Sequence, residues 1–163
     1  MAPLLTDRAA VRLRPATDAD RDFLIDLYGC VRAEELAVVT WAQGQREAFI
    51  RMQFAAQDTE YRRHNPHGTF DVIELHGEPI GRLYVDRRPT EIRIVDISLL
   101  PQFRGAGIGS GLLADLMREA AASDRRLTIH VEINNRAGTL YTRLGFVEAA
   151  RQGPYRRMEW AAS

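Results

Sequence analysis

The stretch LLPQFRGAGIGSG, residues 99–111, decides how the rest of this chain is interpreted. Ahead of it, residues 91–100 form a long, largely apolar run that predicts a strand. Behind it, apolar residues recur at helical spacing, which predicts a helix. These residues are Ile108, Leu112, Leu113, Leu116, Met117, Ala120 and Ala121. A strand therefore ends, a loop turns, and a helix begins within the glycines.

This glycine loop has the chemistry of an anion site. The N-terminus of a helix carries unpaired N–H groups and a partial positive charge, and glycines place no Cβ atoms between those amides and a phosphate. Arg104 adds a charge that can pair with phosphate. The alternative is a tight turn without a ligand, but several glycines weaken a helix start. We therefore interpret the loop as phosphate-binding.

Three phosphate loops can be compared with it. A Walker A loop needs Lys followed by Ser or Thr after its last glycine, and no Lys follows here. A dinucleotide fingerprint, G-x-G-x-x-A, fits residues 109–114, with Glu132 about 20 residues further on. However, residues 101–104 separate its first glycine from the strand, and the 54 residues after Gly109 are too few for the rest of such a domain. The third pattern, R/Q-x-x-G-x-G/A, is matched by residues 104–109.

Composition excludes several other classes of protein. The 163 residues include 22 basic and 22 acidic side chains, whereas a nucleic-acid-binding domain is usually strongly basic. No apolar run approaches the ~18 residues of a membrane helix, and residues 1–10 do not resemble a signal peptide. Cys30 is the only cysteine. We expect one cytoplasmic domain over residues 1–163, with no metal, nucleic-acid or membrane partner.

The predicted order of elements is β-α-α-β-β-β-α-β-α-β-β, an α+β domain with a mixed sheet. Thr17, with Asp20 three residues later, predicts the start of the first helix. The second helix is predicted over about residues 43–63, and a short helix over residues 137–144 ends at Gly145. The strands are predicted at residues 11–14, 69–75, 80–85, 91–100, 126–133, 146–149 and 155–160.

Residues 100–109, L-P-x-x-R-G-x-G-I-G, together with Leu140-Tyr141 and Gly145-Phe146, resemble the GNAT superfamily of N-acetyltransferases. The resemblance covers about residues 91–146, the motif-bearing core. It implies a mixed, largely antiparallel central sheet, splayed at its middle strands and flanked on both faces by about four helices. It also implies acetyl-CoA as co-substrate and an amine-bearing small molecule or peptide as acceptor.

The resemblance further implies which residues hold the cofactor. The backbone of Ile97, Ser98 and Leu99 would pair with the pantetheine amides. The pyrophosphate would lie on Arg104 and on the amides of Gly105, Ala106, Gly107, Ile108, Gly109 and Ser110. An Asn after the next strand contacts the cofactor in this family; strand spacing selects Asn135, and helix spacing selects Asn134. Either residue could instead cap the short helix.

The same resemblance makes Tyr141 the general acid, which would protonate the departing thiolate. The alternative is a tyrosine packed on the core side of its helix. An ammonium must lose a proton before it attacks, because its pKa is near ~10. Polar side chains at alternate strand positions offer two candidate bases, Asp96 or Glu132, although each alone could be structural.

The leading hypothesis is therefore direct attack of a primary amine on acetyl-CoA in a ternary complex, with the tetrahedral intermediate near the amide of Leu99. One alternative is a regulatory module that binds coenzyme A without catalysis, and a weaker one is an NAD(P)-dependent oxidoreductase. The acceptor and the oligomeric state stay open, although edge strands near the C-terminus would allow a homodimer.

Overall fold

Seven strands and five α-helices make up the part of the chain that the computed structural model describes, namely residues 8–133, 135 and 137–163. The strands are β1 Val11–Pro15, β2 Thr69–Leu75, β3 Glu78–Arg87, β4 Glu91–Leu99, β5 Arg126–Glu132, β6 Val147–Gln152 and β7 Tyr155–Trp160. The helices are α1 Arg21–Val31, α2 Ala33–Ala37, α3 Gln45–His64, α4 Ile108–Ala122 and α5 Ala137–Arg143. Short 3₁₀ turns occupy Arg8–Ala10, Asp18–Asp20 and Pro101–Phe103.

The strands form an open, mostly antiparallel sheet in the order β1-β2-β3-β4-β5-β7-β6. Strand β5 runs parallel to β4 and antiparallel to β7. The α+β class predicted from the sequence is confirmed. The helix count differs from the expected four, because the five-residue α2 follows α1 after a turn at Arg32. A segment that short has too few apolar repeats for periodicity to separate it from the preceding helix.

The chain divides into two compact units. The first contains the residues up to 84 together with residues 96–109, and the second contains residues 85–95 and 110–163. The first unit therefore holds the end of β4 and the glycine loop. The second holds β5, the short helix α5 and the two closing strands.

In the first unit, Thr17 and Asp20 form the predicted cap at the 3₁₀ turn Asp18–Asp20, which leads directly into α1. The backbone N–H of Thr17 donates to Asp20 Oδ2 at 2.8 Å, and the backbone N–H of Asp20 donates to the carbonyl of Thr17 at 2.9 Å. Arg14 on β1 holds the same carboxylate through two hydrogen bonds of 2.7 and 2.8 Å. The Arg14 hydrogen bonds, together with the one from the Thr17 N–H, lower the pKa of Asp20 to about 2. The ion pair ties the first helical turn to the sheet.

Apolar side chains of α1, α2 and α3 form the core beside this cap. They are Leu24, Ile25, Leu27, Tyr28, Leu36, Ile50 and Phe54. Strands β2 and β3 are joined by the two-residue turn His76-Gly77, in which both residues have positive φ, 52° and 80°. Such turns match the twist of paired strands, so they fix a tight hairpin.

The second unit packs the apolar face of its strands against α4 and α5. The buried side chains include Ile92, Ile94, Leu112, Leu113, Leu116, Leu127, Ile129, Val131, Phe146 and Met158. They recur at every second strand position, as predicted for β5, and at helical spacing in α4. Across the described residues, no helix is long and apolar enough to span a membrane.

Candidate functional site

The glycine loop lies between the end of β4 and the first turn of α4. Two of its glycines, Gly105 and Gly107, adopt positive φ values of 76° and 85°. A Cβ atom at either position would meet no atom within 4 Å. Glycine is therefore required there by the backbone conformation, not by crowding. The open space beside these residues leaves room for a bound anion at the start of the helix.

Arg104 ties this loop back to the strand. Its Nε donates to the carbonyl oxygen of Leu99 at 3.0 Å, and the side chain is exposed. The backbone N–H groups of Phe103 and Arg104 donate to Leu100 and Pro101, at 3.0 and 3.2 Å, which closes the preceding turn. The loop is therefore anchored at its first residue. The pyrophosphate contact predicted for Arg104 would use its remaining guanidinium nitrogens.

The end of β4 carries the three residues predicted to bind pantetheine. The ladder between β4 and β5 covers only residues 91–94 of β4, so Ile97, Ser98 and Leu99 lie beyond its last pair. Within the first unit these residues belong to its last strand, and all three side chains are partly buried. The residue that follows them is held from the β3 side, where the N–H of Leu100 donates to the carbonyl of Ile80 at 2.8 Å.

Gly81 on β3 allows an unusually close approach to this segment. A Cβ atom at Gly81 would lie 2.2 Å from the carbonyl oxygen of Ser98 and 3.1 Å from the Cα of Leu99. Any side chain would therefore push the end of β4 away. The sequence prediction did not single out this glycine. Its signal is a lone glycine within an apolar strand, which marks close approach of another backbone.

A buried polar cluster surrounds Asp96 in the same unit. The Asp96 Oδ2 atom accepts hydrogen bonds from Arg82 Nη2 at 2.8 Å and from the Tyr61 hydroxyl at 2.9 Å. The Oδ1 atom accepts from Ser98 Oγ at 2.6 Å. Arg82 Nη2 also donates to Gln57 Oε1 at 2.7 Å. We call these five residues the Asp96 cluster.

Burial makes the electrostatics of the Asp96 cluster strong. Arg82 has only 4% of its side chain exposed, and Asp96 has 13%. Burial is the largest single influence and would lower the pKa of Arg82, but the charge and hydrogen bond of Asp96, together with Tyr84 and Tyr61, raise the pKa overall. Burial and the Asp96 charge together raise the pKa of Tyr61, so this hydroxyl stays a donor. Arg82 was not among the predicted site residues, although an Arg within an apolar strand is a signal of a buried ion pair.

In the second unit, Tyr141 lies on α5 with 5% of its surface exposed. Its ring meets that of Phe146 edge-to-face, with 5.6 Å between the centroids. Its carbonyl oxygen accepts from the backbone N–H groups of Leu144 and Phe146, at 3.1 and 3.0 Å. The tyrosine therefore faces the core side of its helix, and its role as an acid stays a prediction.

The segment after β5 carries the other predicted residues. Glu132 ends β5 partly buried, and its carbonyl accepts from the N–H of Asn135 at 2.9 Å. Asn135 is exposed, and its Oδ1 accepts from the N–H of Ala137 at 2.8 Å, so it caps the start of α5. Asn134, the other candidate, lies outside the described residues. The capping role therefore fits Asn135, and a cofactor contact by either Asn stays a prediction.

His130 shares the polar face of β5 with Glu132. Partial burial and the charges of Arg93 and Arg157 lower its pKa, while Glu91 opposes them weakly. A cleft of about 430 Å³ is lined by His130 and by the β6–β7 turn residues Gln152 to Tyr155. Among residues 8–133, 135 and 137–163, no three His, Cys, Asp or Glu side chains are grouped as a metal site.

Comparison with known proteins identifies the family. The sequence model of the acetyltransferase (GNAT) family matches residues 31–146. The match covers well over half of the chain, and the protein belongs to this family. Members of the family are acetyltransferases that use acetyl-CoA. No curated protein has a sequence that matches this chain significantly.

Solved structures with the same fold cover nearly the whole chain. PaiA N-acetyltransferase from Thermoplasma acidophilum, in complex with coenzyme A, has a TM-score of 0.69 at 17% identity and covers 93% of this chain and 99% of its own. An acetyltransferase from Thermus thermophilus gives 0.68 at 18%, covering 94% and 97%. RimL, a ribosomal L7/L12 alpha-N-protein acetyltransferase, gives 0.64 at 20%, covering 97% and 93%. At these identities the likeness shows the fold.

Proposed function

We propose that this protein transfers the acetyl group of acetyl-CoA to a primary amine on a small molecule or peptide, within a ternary complex. The observation that carries the proposal is the pair of left-handed glycines, Gly105 and Gly107, with open space beside them at the start of α4. Membership of the acetyltransferase family supplies the reaction class.

The donor substrate would be held mainly by backbone groups. The amides of residues 105–110 would bind the pyrophosphate, because a helix N-terminus stabilises negative charge. The backbone of Ile97, Ser98 and Leu99 lies beyond the ladder with β5, so its amide and carbonyl groups suit the extended pantetheine arm. Main-chain contacts of this kind explain why a side-chain motif is needed only at the glycines and Arg104.

When bound, acetyl-CoA supplies a thioester whose carbonyl carbon the amine attacks, forming a C–N bond and releasing a thiolate. The amide N–H of Leu99 would stabilise the negative charge on the carbonyl oxygen. Tyr141 would donate its phenolic proton to the thiolate. For the proton lost by the ammonium we propose Glu132 as the acceptor in preference to Asp96, because Asp96 already accepts three hydrogen bonds.

The acceptor class rests on the amine chemistry of the fold's relatives. RimL is described as acting on the α-amino group of a ribosomal protein. A primary amine is also the acceptor that the family resemblance implies for this chain. The cytoplasmic location, the single domain and a homodimer stay predictions of the same proposal.

Radiolabelled acetyl-CoA and a panel of amines test the proposal. The panel contains a simple alkylamine, amino acids and peptides with free N-termini, and the labelled product is separated from acetyl-CoA. We expect transfer to at least one amine. A protein that binds coenzyme A in calorimetry but transfers to none would instead be the non-catalytic module. Binding of NADH without binding of coenzyme A would favour the oxidoreductase.

A pair of glycine variants locates the site. Gly107→Ala and Gly77→Ala both force alanine into a left-handed conformation, with φ of 85° and 80°, and neither new methyl group meets an atom within 4 Å. Each costs about 1–2 kcal/mol of stability. We expect only Gly107→Ala to weaken coenzyme A binding, because Gly77 lies in the β2–β3 turn. Equal affinity of both variants for coenzyme A would show that the glycine loop is not part of the coenzyme A site.

A further inference from the structure

Burying the charged side chains of the Asp96 cluster costs more free energy than burying apolar side chains would. Moving an arginine and a carboxylate out of water costs more than their attraction usually returns, and apolar residues of similar size are often as stable. The Arg82 side chain is 4% exposed, and Asp96 is 13% exposed. On β3, the strand that contains Arg82, the buried apolar residues include Ile80, Leu83 and Val85. Stability alone therefore does not explain a charged pair at this position, and a functional role would.

The hydrogen bonds of the Asp96 carboxylate connect three segments of the chain. Asp96 lies next to Ile97 in β4, and its carboxylate is held from three directions, by Tyr61 of α3, Arg82 of β3 and Ser98 of β4 itself. The Ser98 contact returns to the same strand, and it fixes the backbone between Asp96 and Ser98. The carboxylate therefore joins α3 and β3 to the segment of β4 that carries the donor contacts.

Two further contacts hold the same segment on its other sides. Because Gly81 has no side chain, the carbonyl oxygen of Ser98 packs closely against it. Arg104 Nε donates a hydrogen bond to the carbonyl oxygen of Leu99 at 3.0 Å. Every anchor acts on residues 96–99, where the strand has passed the end of its ladder with β5. A strand end without a second ladder needs other contacts to keep its amides in one orientation.

We propose that Asp96 is a positioning residue for the donor substrate: its carboxylate, held by Arg82 and Tyr61, fixes the backbone of residues 97–99 in the geometry that binds the pantetheine arm. This inference rests on the proposed function. It assigns to Asp96 a role different from proton transfer, and it adds Arg82 and Tyr61 to the residues on which acetyl-CoA binding depends.

Asp96→Asn is the central variant, measured by calorimetric titration of coenzyme A and by steady-state kinetics over a range of pH. Asparagine keeps the size of the side chain but presents an NH₂ group to donors, so one contact is lost. We expect the Kd for coenzyme A and the KM for acetyl-CoA to rise about 10-fold, because a displaced strand end loses one or two hydrogen bonds to the pantetheine arm. The shape of the pH profile of kcat/KM stays unchanged.

Asp20→Asn is the matched control. Asp20 is another buried aspartate of the first unit, it is 6% exposed, and two hydrogen bonds tie it to Arg14. Replacing it destabilises the fold in the same manner, but Asp20 lies at the start of α1 and not on β4. We expect this variant to bind coenzyme A as the wild type does. Equal losses in both variants would show a general effect of instability and would overturn the proposal.

Two more variants keep the test decisive if Asp96→Asn folds poorly. Tyr61→Phe removes one hydroxyl and should raise the Kd for coenzyme A about 2- to 5-fold. The double variant Asp96→Asn with Arg82→Gln removes both buried charges, so its loss of binding should be smaller than the sum of the single losses. Additive losses would mean that the two residues act separately, and they would contradict the positioning role.

The outcomes separate this proposal from the function on which it rests. A lower kcat with unchanged Kd, and loss of the acidic limb of the pH profile, would make Asp96 the base and overturn the positioning role. Unchanged binding and unchanged kcat would overturn it as well. Failure of the wild-type protein to bind coenzyme A would overturn the proposed function itself, and the role of Asp96 would fall with it.

Discussion

At Gly81, β3 lies unusually close to the end of β4, and replacing this glycine with alanine perturbs that approach. The added Cβ would lie 2.2 Å from the carbonyl oxygen of Ser98, 2.9 Å from Leu99 Cδ2 and 3.1 Å from Leu99 Cα. Favourable nonbonded contact begins near ~3.5 Å, so the overlap with the oxygen is roughly 1 Å. Two of the three atoms belong to the backbone, which cannot rotate away as a side chain would.

The size of the effect follows from that overlap. Overpacking of this kind costs about 1–3 kcal/mol, which for a chain of this length corresponds to a fall in Tm of roughly 2 to 12 °C. Relief of the overlap displaces the backbone of Ser98 and Leu99. If those residues bind the donor, a shift of that size breaks one or two hydrogen bonds to it and weakens coenzyme A binding by about 10-fold.

Thermal unfolding followed by circular dichroism gives the first quantity, and titration calorimetry with coenzyme A gives the second. Gly77→Ala is the control: it adds the same methyl group in open space, with φ of 80°, and it should lower the Tm without changing the Kd. A Gly81→Ala protein with wild-type Tm and wild-type Kd would show that β3 does not pack against β4 as described. A lowered Tm with wild-type Kd would remove Ser98 and Leu99 from the donor site.

Three other perturbations have defined outcomes. Tyr141→Phe should lower kcat about 100-fold or more and leave the Kd for coenzyme A nearly unchanged, because a general acid acts only as the thiolate leaves; steady-state kinetics that show wild-type kcat would refute the role. Asp20→Asn should cost about 1–3 kcal/mol in urea unfolding at pH 7. Its cost should shrink by pH 3, because the unfolded carboxyl gains a proton near pH ~4, whereas in the folded state the pKa of Asp20 is about 2. His130→Gln should leave stability at pH 8 unchanged and reduce the loss of stability on acidification below about pH 6.5. Burial and Arg93 lower the pKa of His130, so the unfolded chain takes up this proton first; equal urea midpoints of wild type and variant at pH 5 would contradict this.

Much of the fold could be predicted because its signals are local. The alternation of β5, the helical repeat of α4 and the cap formed by Thr17 and Asp20 each lie within a few residues along the chain. The five-residue helix α2 was missed because it is shorter than two repeats. The Gly105 and Gly107 backbone was predictable for the same reason, since a strand, a glycine loop and a helix follow one another directly.

The candidate site was less predictable, because its contacts join distant parts of the chain. Asp96 is 35 residues from Tyr61 and 14 residues from Arg82, and no periodicity indicates that these three side chains meet. The sequence offered Asp96 as a proton acceptor. The structure shows a carboxylate that already accepts three hydrogen bonds, which is the reason to propose a positioning role.

The sequence by itself therefore determined the order of strands and helices apart from α2, the family and the loop suited to a diphosphate, since each depends on neighbours along the chain. Only the tertiary structure decided which polar side chains are buried together and where the end of β4 is held. Those features depend on the close approach at Gly81 and on the burial of Arg82 under α3. Both arise from packing between segments that are far apart in sequence, where an ion pair or a missing Cβ has an effect only after the chain has folded.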